Sequence, residues 1–188
     1  MLDRYRRPEK VKAACESLVP IAIQMGVQTA TGQNNPFVFI PLHKGADSFM
    51  SRDDFREFYW PTFKAVILGL VQQGLVPYHL VEGAYNERLD IIRDPDIPVG
   101  TTYWSFDQTD MQAAKEALGG WACIAGNVPA SMLHSGRPEQ VEAYVKDLID
   151  TAGPDGGYAV SNGAVLEHAR PENLRAMFET TKSYGVYE

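Results

Sequence analysis

Residues 78–89, with the sequence YHLVEGAYNERL, hold the side chains best suited to chemistry in this chain. Glu82 follows an apolar run and precedes a glycine, which predicts a strand that ends at a loop. A carboxylate at that point can bind a metal or move a proton, whereas the alternative is a solvated loop acid. Tyr85 and Arg88 follow in the same segment, and we predict that they act with Glu82 as catalytic residues. For Arg88 the alternative is a salt bridge within its own short helix.

A histidine, His43, follows an earlier apolar run at residues 37–42. Histidine is the commonest metal ligand in proteins and carries protons near neutral pH. Because this run also predicts a strand, His43 and Glu82 are candidate metal ligands at two strand ends. The alternative for His43 is a histidine that caps a helix or packs within its loop. Strand alternation places Glu82 and His79 on opposite faces, so we expect His79 to be hydrogen-bonded between the sheet and the helices.

Polar side chains also follow the later predicted strands. We predict that Asp107, Asn127 and Asn162 bind substrate, because loops that follow parallel strands share one edge of the sheet. Asn127 lies in a Gly-Asn-Val-Pro turn, and its alternative role is a hydrogen bond to its own loop. Asp110 is predicted to cap the helix that comes next.

Short apolar runs alternate with helical patterns, which predicts an α/β fold with a parallel sheet of five strands. An open doubly wound sheet and part of a (β/α)₈ barrel both fit this order. The lack of a glycine-rich nucleotide fingerprint after any strand weakens the first, but the pattern alone leaves both open. We predict a helix over 8–31 that Pro20 kinks or splits, and one over 51–73 that Pro61 interrupts. The predicted strands span residues 37–42, 75–81, 101–106, 122–126 and 157–161, and the later helices span 86–92, 109–118, 138–151 and 171–184.

The chain has 188 residues, of which 45% are hydrophobic, and a net charge of −7. That composition predicts a globular domain and excludes a disordered chain. An acidic chain without a basic run is a poor candidate for nucleic-acid or anionic-membrane partners. No apolar stretch is long enough for a membrane span and no signal-peptide pattern is present, so we expect a cytoplasmic protein. Cys15 and Cys123 are expected to be reduced, structural thiols rather than nucleophiles.

Three parts of the sequence resemble the uroporphyrinogen decarboxylase superfamily. They are FMSRDDFREFYWP at residues 49–61, GNVP at 126–129 with GRPEQV at 136–141, and GGY at 156–158 leading to PENLRAM at 171–177. The resemblance implies one domain over residues 1–188 that forms the C-terminal, five-strand portion of a (β/α)₈ TIM barrel, incomplete because the N-terminal strands are missing. We expect the open side to be covered by the chain's own N-terminal helix or by another chain.

The superfamily contains the haem-pathway decarboxylase and zinc methyltransferases that move methyl groups between corrinoids and thiols. In the methyltransferase branch, a His-x-Cys-Gly motif and a later cysteine bind zinc. Aligning the motif on Gly83 places Leu80 at the histidine and Glu82 at the first cysteine, and the later cysteine falls near Ala164. Only Glu82 therefore occupies a ligand position. The segment EGAYNERL is most similar to superfamily members that are associated with corrinoid-dependent methyl transfer.

The resemblance leaves three functions open. The first is corrinoid-dependent methyl transfer, with zinc at Glu82 and His43 as a candidate cofactor and a corrinoid protein as a candidate partner. The second is decarboxylation of a tetrapyrrole in porphyrin biosynthesis, for which Arg88 and Lys44 are the only cations at loop ends. The third is an inactive fragment that binds or completes a partner. We expect either a homo-oligomer or completion by another chain.

Overall fold

Five parallel strands form one sheet in the computed structural model, which describes residues 2–186. The strands are β1 Phe37–Leu42, β2 Val76–Val81, β3 Tyr103–Phe106, β4 Cys123–Val128 and β5 Tyr158–Asn162. They pair in sequence order, so consecutive strands are always neighbours. A barrel has this order, whereas a doubly wound sheet reverses its order at a switch point. The predicted five-strand portion of a (β/α)₈ barrel is therefore confirmed.

Helices alternate with the strands and cover one face of the sheet. They are α1 Leu2–Arg6, α2 Pro8–Gln33, α3 Arg52–Asp54, α4 Trp60–Gln72, α5 Leu89–Ile92, α6 Met111–Leu118, α7 Ala130–Ser135, α8 Pro138–Ala152 and α9 Pro171–Tyr184. A π-helical turn at Phe55–Tyr59 joins α3 to α4, and a 3₁₀ turn at Asn86–Arg88 precedes α5. Over residues 2–186, no helix combines the length and the apolar character needed to cross a membrane.

We predicted that Pro20 kinks or splits the N-terminal helix; α2 runs from Pro8 to Gln33 without a break, so the split is wrong. Pro20 is exposed, and water can hydrate the backbone carbonyl that has no N–H partner there. α2 packs against α4 and β1, since a Cβ on Gly26 would lie 2.7 Å from Leu70 and 3.1 Å from Val38. The helix therefore belongs to the helix layer. The expectation that it covers the open side of the barrel is wrong.

The helical segment predicted over residues 51–73, interrupted at Pro61, is observed as α3, a π-helical turn and α4. Ser51 caps its first turn, with its hydroxyl oxygen accepting from the Asp54 N–H at 3.1 Å. The π-helical turn Phe55–Tyr59 ends two residues before Pro61. Proline has no N–H to donate, and the wider turn changes the hydrogen-bond pattern at the point where that donor is missing.

The helix-facing side of the sheet forms the main apolar core, and His79 lies in it. Trp104 and Ile124 are almost completely buried there. His79 is also fully buried, its Nδ1 lies 3.1 Å from the carbonyl oxygen of Tyr103, and its ring centroid is 3.9 Å from that of Trp104. The predicted place of His79, hydrogen-bonded between sheet and helices, is confirmed.

The opposite side of the sheet, which faces the interior in a closed barrel, carries a row of aromatic rings. Phe39 lies against Tyr78 with ring centroids 5.5 Å apart, and Tyr78 lies against Tyr103 at 4.8 Å. Phe37 and Phe39 are 45% and 57% exposed. This row shows that the barrel-facing side is apolar and open in the part of the chain described.

Replacing Asn173 with alanine is expected to destabilise the fold by about 1–3 kcal/mol. The Nδ2 group of this fully buried side chain donates to the carbonyls of Met132, Leu133 and Gly136 at 3.0 to 3.2 Å. The alanine variant removes a donor that connects α9 to α7. Urea denaturation followed by circular dichroism measures the change. Gln112→Ala, at an exposed position of α6, is the control, and equal stability of the two variants would contradict the assignment.

Candidate functional site

His43 and Glu82 meet at the carboxyl edge of the sheet. Each directly follows its strand, and because Leu42 lies opposite Val81 in the β1–β2 register, the next residues are neighbours. Nδ1 of His43 contacts Oε2 of Glu82 directly. The His43 side chain is 55% exposed and the Glu82 side chain 29% exposed. The structure therefore brings these two predicted site residues together where a ligand can reach them.

Asp107 supports the backbone next to Glu82. Its Oδ2 accepts from the N–H of Gly83 at 2.9 Å, so the loops that follow β2 and β3 are joined. Gly83 has a φ of +80°, and a Cβ there would lie 3.1 Å from the Cβ of Ala46. Glycine suits this left-handed turn because other residues rarely adopt it. The predicted site residue Asp107 is thus linked to the His43–Glu82 pair through Gly83, the residue that follows Glu82.

Tyr85 and Arg88, which were predicted to be catalytic, lie beneath the edge rather than on it. Tyr85 is fully buried, and its hydroxyl donates to the carbonyl of Leu42 at 3.3 Å. Burial raises the pKa of Tyr85 well above its ordinary value, which keeps the hydroxyl protonated. The Arg88 side chain is also fully buried, and its Nη2 donates to the carbonyl of Met50 at 2.6 Å. Both side chains contact the segment that carries His43.

Asn127, the last β4 residue but one, bonds to the neighbouring loop. Its Nδ2 donates to the carbonyl of Thr109 at 2.8 Å, and its Oδ1 accepts from the Tyr144 hydroxyl at 3.2 Å. We expected a hydrogen bond to its own loop as the alternative to substrate binding. The side chain instead links the end of β4 to the loop after β3. Tyr144 comes from α8, and no local sequence pattern distinguishes it from other half-buried helix residues.

A cleft of about 870 Å³ lies beside these loops at the carboxyl edge. Asp107 and Asn127, two of the three predicted substrate-binding residues, line it together with Thr109, Tyr144 and Asp147. The third, Asn162, does not line it, and its Nδ2 donates to the carbonyl of Ala164 at 2.5 Å. Neither His43 nor Glu82 lines this cleft, but Asp107 lines it and also accepts from the N–H of Gly83 beside Glu82, so the cleft is a candidate substrate pocket linked to the pair.

Replacing Asp110 with alanine is expected to cost about 1 kcal/mol of stability, which is typical of a lost N-cap. Oδ1 of Asp110 accepts from the N–H of Ala113 at 3.0 Å in the first turn of α6, so the predicted cap is confirmed. Thermal unfolding of the variant measures the loss. Asp110→Asn retains the acceptor and is expected to keep most of the stability, and an equal loss in both variants would contradict the capping role.

The donor set at His43 and Glu82 does not by itself make the zinc site that the resemblance implies. Catalytic zinc sites use three protein ligands, and structural sites use four. In the described residues, 2–186, no group of three or more His, Cys, Asp or Glu side chains is placed to hold a metal ion. His43 and Glu82 also contact each other directly, as a hydrogen-bonded pair does. The pair fits proton transfer better than it fits zinc.

The remaining histidines and cysteines lie away from this site. His134 and His168 are exposed, with ring centroids 6.4 Å apart. Cys15 and Cys123 are partly buried free thiols. Burial raises the pKa of Cys123, which disfavours the reactive thiolate.

Comparison with known proteins identifies the family. The family model for uroporphyrinogen decarboxylase (URO-D) matches residues 1–184. A solved structure of a methyltransferase from Methanosarcina mazei superposes with a TM-score of 0.82 at 16% sequence identity, covering 99% of this chain and 53% of that one. This chain therefore spans about half the length of that methyltransferase chain. No curated protein sequence matches. On the family match over nearly all of its length, the chain belongs to the uroporphyrinogen decarboxylase family.

Proposed function

We propose that this chain takes part in corrinoid-dependent methyl transfer, and that His43 and Glu82 supply a proton to the leaving group. The observation that carries the proposal is the direct contact of His43 Nδ1 with Glu82 Oε2 at the exposed carboxyl edge. A histidine that is oriented by a carboxylate is a common general acid or base. The similarity of the fold to a methyltransferase supports the class of reaction.

When a methyl group is transferred from an ether oxygen, the oxygen that leaves must take up a proton. The CH₃–O bond breaks, its electron pair remains on the oxygen, and the oxygen takes a proton from the His43 imidazolium. Glu82 orients the ring and stabilises its positive charge before the transfer. A reduced corrinoid, held by a partner protein, would supply the nucleophile that accepts the methyl group. The products are then a hydroxyl compound and a methylated corrinoid.

The charge around the cleft favours this reaction over decarboxylation of a tetrapyrrole. Three carboxylates line the cleft, from Asp107, Asp110 and Asp147, and none of its lining residues is Lys or Arg. Substrates with several carboxylates need cations to hold them. Of the two cations predicted for that role, Arg88 is buried and Lys44 lies over the Phe49 ring at 4.7 Å. A neutral or cationic methylated compound fits the cleft better.

The test supplies the purified chain with reduced cobalamin and a panel of aryl and alkyl methyl ethers. The absorbance change that accompanies methylation of cobalamin gives the rate. We expect methylation with at least one ether, at a rate above that without protein. A parallel reaction measures CO₂ release from uroporphyrinogen. Release of CO₂ would overturn the proposal. The absence of cobalamin methylation with all of the ethers would also overturn it.

A further inference from the structure

We infer that Arg88 is a positioning residue that holds the His43 loop, defined as residues 43–50, in the place where His43 meets Glu82. The inference rests on the proposed function for its effect on catalysis, but its structural part stands on contacts alone. The pair is carried by two separate loops, one after β1 and one after β2. Its geometry therefore depends on whatever holds those loops together.

The Arg88 guanidinium makes its hydrogen bonds to the His43 loop. Nη2 donates to the carbonyl of Met50 at 2.6 Å, and Nε donates to the carbonyl of Gly45 at 3.3 Å. Nε also lies 3.5 Å from Oδ1 of Asp47. One side chain from the 3₁₀ turn after β2 thus binds the His43 loop near its start, at its middle and at its end.

Asp47 completes the connection in the opposite direction. Its backbone N–H donates to the carbonyl of Ala84 at 2.8 Å, and its Oδ2 accepts from the N–H of Glu87 at 3.3 Å. The Arg88 charge is therefore paired with Asp47 of the His43 loop and also with Glu87 of its own turn, whose Oε2 lies 3.7 Å from Nη1. A buried cation is costly to retain, and its pairing here is best explained by the register that it fixes between the two loops.

The His43 loop is tightly packed against the side chains beneath it, so a small displacement of those side chains also displaces His43. A Cβ on Gly45 would lie 2.6 Å from the Tyr85 hydroxyl oxygen and 2.9 Å from the Phe55 ring. Gly45 follows His43 by two residues, so a shift of its carbonyl moves the histidine. A lysine in place of Arg88 carries a single ammonium group and cannot reproduce the planar fork that binds two carbonyls.

The contact between His43 and Glu82 can be measured without any enzymatic assay. In ¹⁵N-labelled protein, Glu82→Gln is expected to shift the imidazole nitrogen resonances of His43. The same substitution is then made in an Arg88→Met background. If Arg88 positions the loop, the shift caused by Glu82→Gln becomes small there, because the two side chains no longer meet. This double-variant comparison isolates the coupling between the sites.

The experiment includes Arg88→Lys, which retains a cation beside Asp47, in case Arg88→Met fails to fold. It also includes Arg93→Met as the matched control, since exposed Arg93 lies over the Trp121 ring at 5.0 Å, away from the His43 loop. We expect both Arg88 variants to lose the coupling and Arg93→Met to keep it. Methyl transfer in the Arg88 variants is expected to fall about 100-fold, as for a small misplacement of a catalytic group.

Two results separate the inference from the proposed function. If wild-type protein transfers no methyl group but the Arg88 variants lose the His43 shift, the proposed function fails and the positioning role stands. If a folded Arg88 variant keeps the full His43 shift, or keeps wild-type methyl transfer, the positioning role is overturned.

Discussion

Replacing Glu82 with glutamine is expected to lower the rate of the proposed methyl transfer by a factor of about 10² to 10⁴. Glutamine has nearly the same shape, but it carries no negative charge to stabilise the His43 imidazolium. The contact of Glu82 Oε2 with His43 Nδ1 is direct, so no other described group replaces it at that nitrogen. The rate of cobalamin methylation under saturating substrate measures the effect.

The control for this substitution is Glu116→Gln on α6. Glu116 accepts from the side chain of Gln112 at 2.8 Å on its own helix, far from the His43–Glu82 pair in the sequence. The two variants remove the same charge from the chain, so a general effect of net charge would appear in both. A Glu82→Gln rate equal to that of Glu116→Gln would mean that the pair does not act on the leaving group.

Acidification is expected to destabilise the wild-type protein through His79. Burial lowers the pKa of His79 from 6.5 to about 3, so the folded protein keeps the ring neutral while the unfolded chain takes up a proton. The stability is fully present above pH 6.5 and is lost progressively as the pH falls from 6.5 towards 3. One pKa unit corresponds to about 1.4 kcal/mol, so the loss is expected to reach about 3 kcal/mol at pH 4.5.

The measurement compares wild type with His79→Gln by urea denaturation at pH 7 and pH 4.5. Glutamine keeps a side-chain donor for the Tyr103 carbonyl but does not titrate in this range. Acidic groups shared by both proteins contribute equally, so the difference between the two pH dependences isolates His79. His168→Gln, at an exposed position, is expected to behave as wild type does. Parallel pH dependences of wild type and His79→Gln would contradict the assignment.

Much of the fold follows from local sequence patterns. Strand alternation predicts that His79 faces the helices while Glu82 does not, and the structure buries His79 in the helix-facing core and leaves Glu82 partly exposed against His43. The Asp110 cap follows from its position before a helical run. The course of α2 through Pro20 could not be predicted in the same way. It depends on packing against α4, which local patterns do not encode, and on the exposure of the proline.

The candidate site was only partly predictable for a related reason. His43 and Glu82 can each be placed at a strand end, but their contact requires the pairing register of β1 with β2. The burial of Tyr85 and Arg88 depends on how the 3₁₀ turn folds under the His43 loop. Local sequence patterns place both residues near the edge, where a catalytic role is expected, but they do not give the depth of a side chain below that edge.

The exposed barrel-facing side of the sheet is a physical reason to expect that the chain associates with another chain or with a second copy of itself. The exposed rings of Phe37 and Phe39 leave apolar surface in water, which favours association. Completion by another chain, or a homo-oligomer, stays a prediction. Sedimentation velocity of the purified chain over a range of concentrations measures it directly.

If the His43–Glu82 pair gives a proton to the departing oxygen, the effect of removing the Glu82 charge must depend on the acidity of the leaving group. Wild type and Glu82→Gln are compared with aryl methyl ethers whose phenols differ in acidity. A strongly acidic phenol leaves without help, so the defect of Glu82→Gln is expected to shrink steadily as the phenol becomes more acidic. We expect Glu82→Gln to react at a near-wild-type rate with the ether of the most acidic phenol. A defect of the same size with every ether would contradict it.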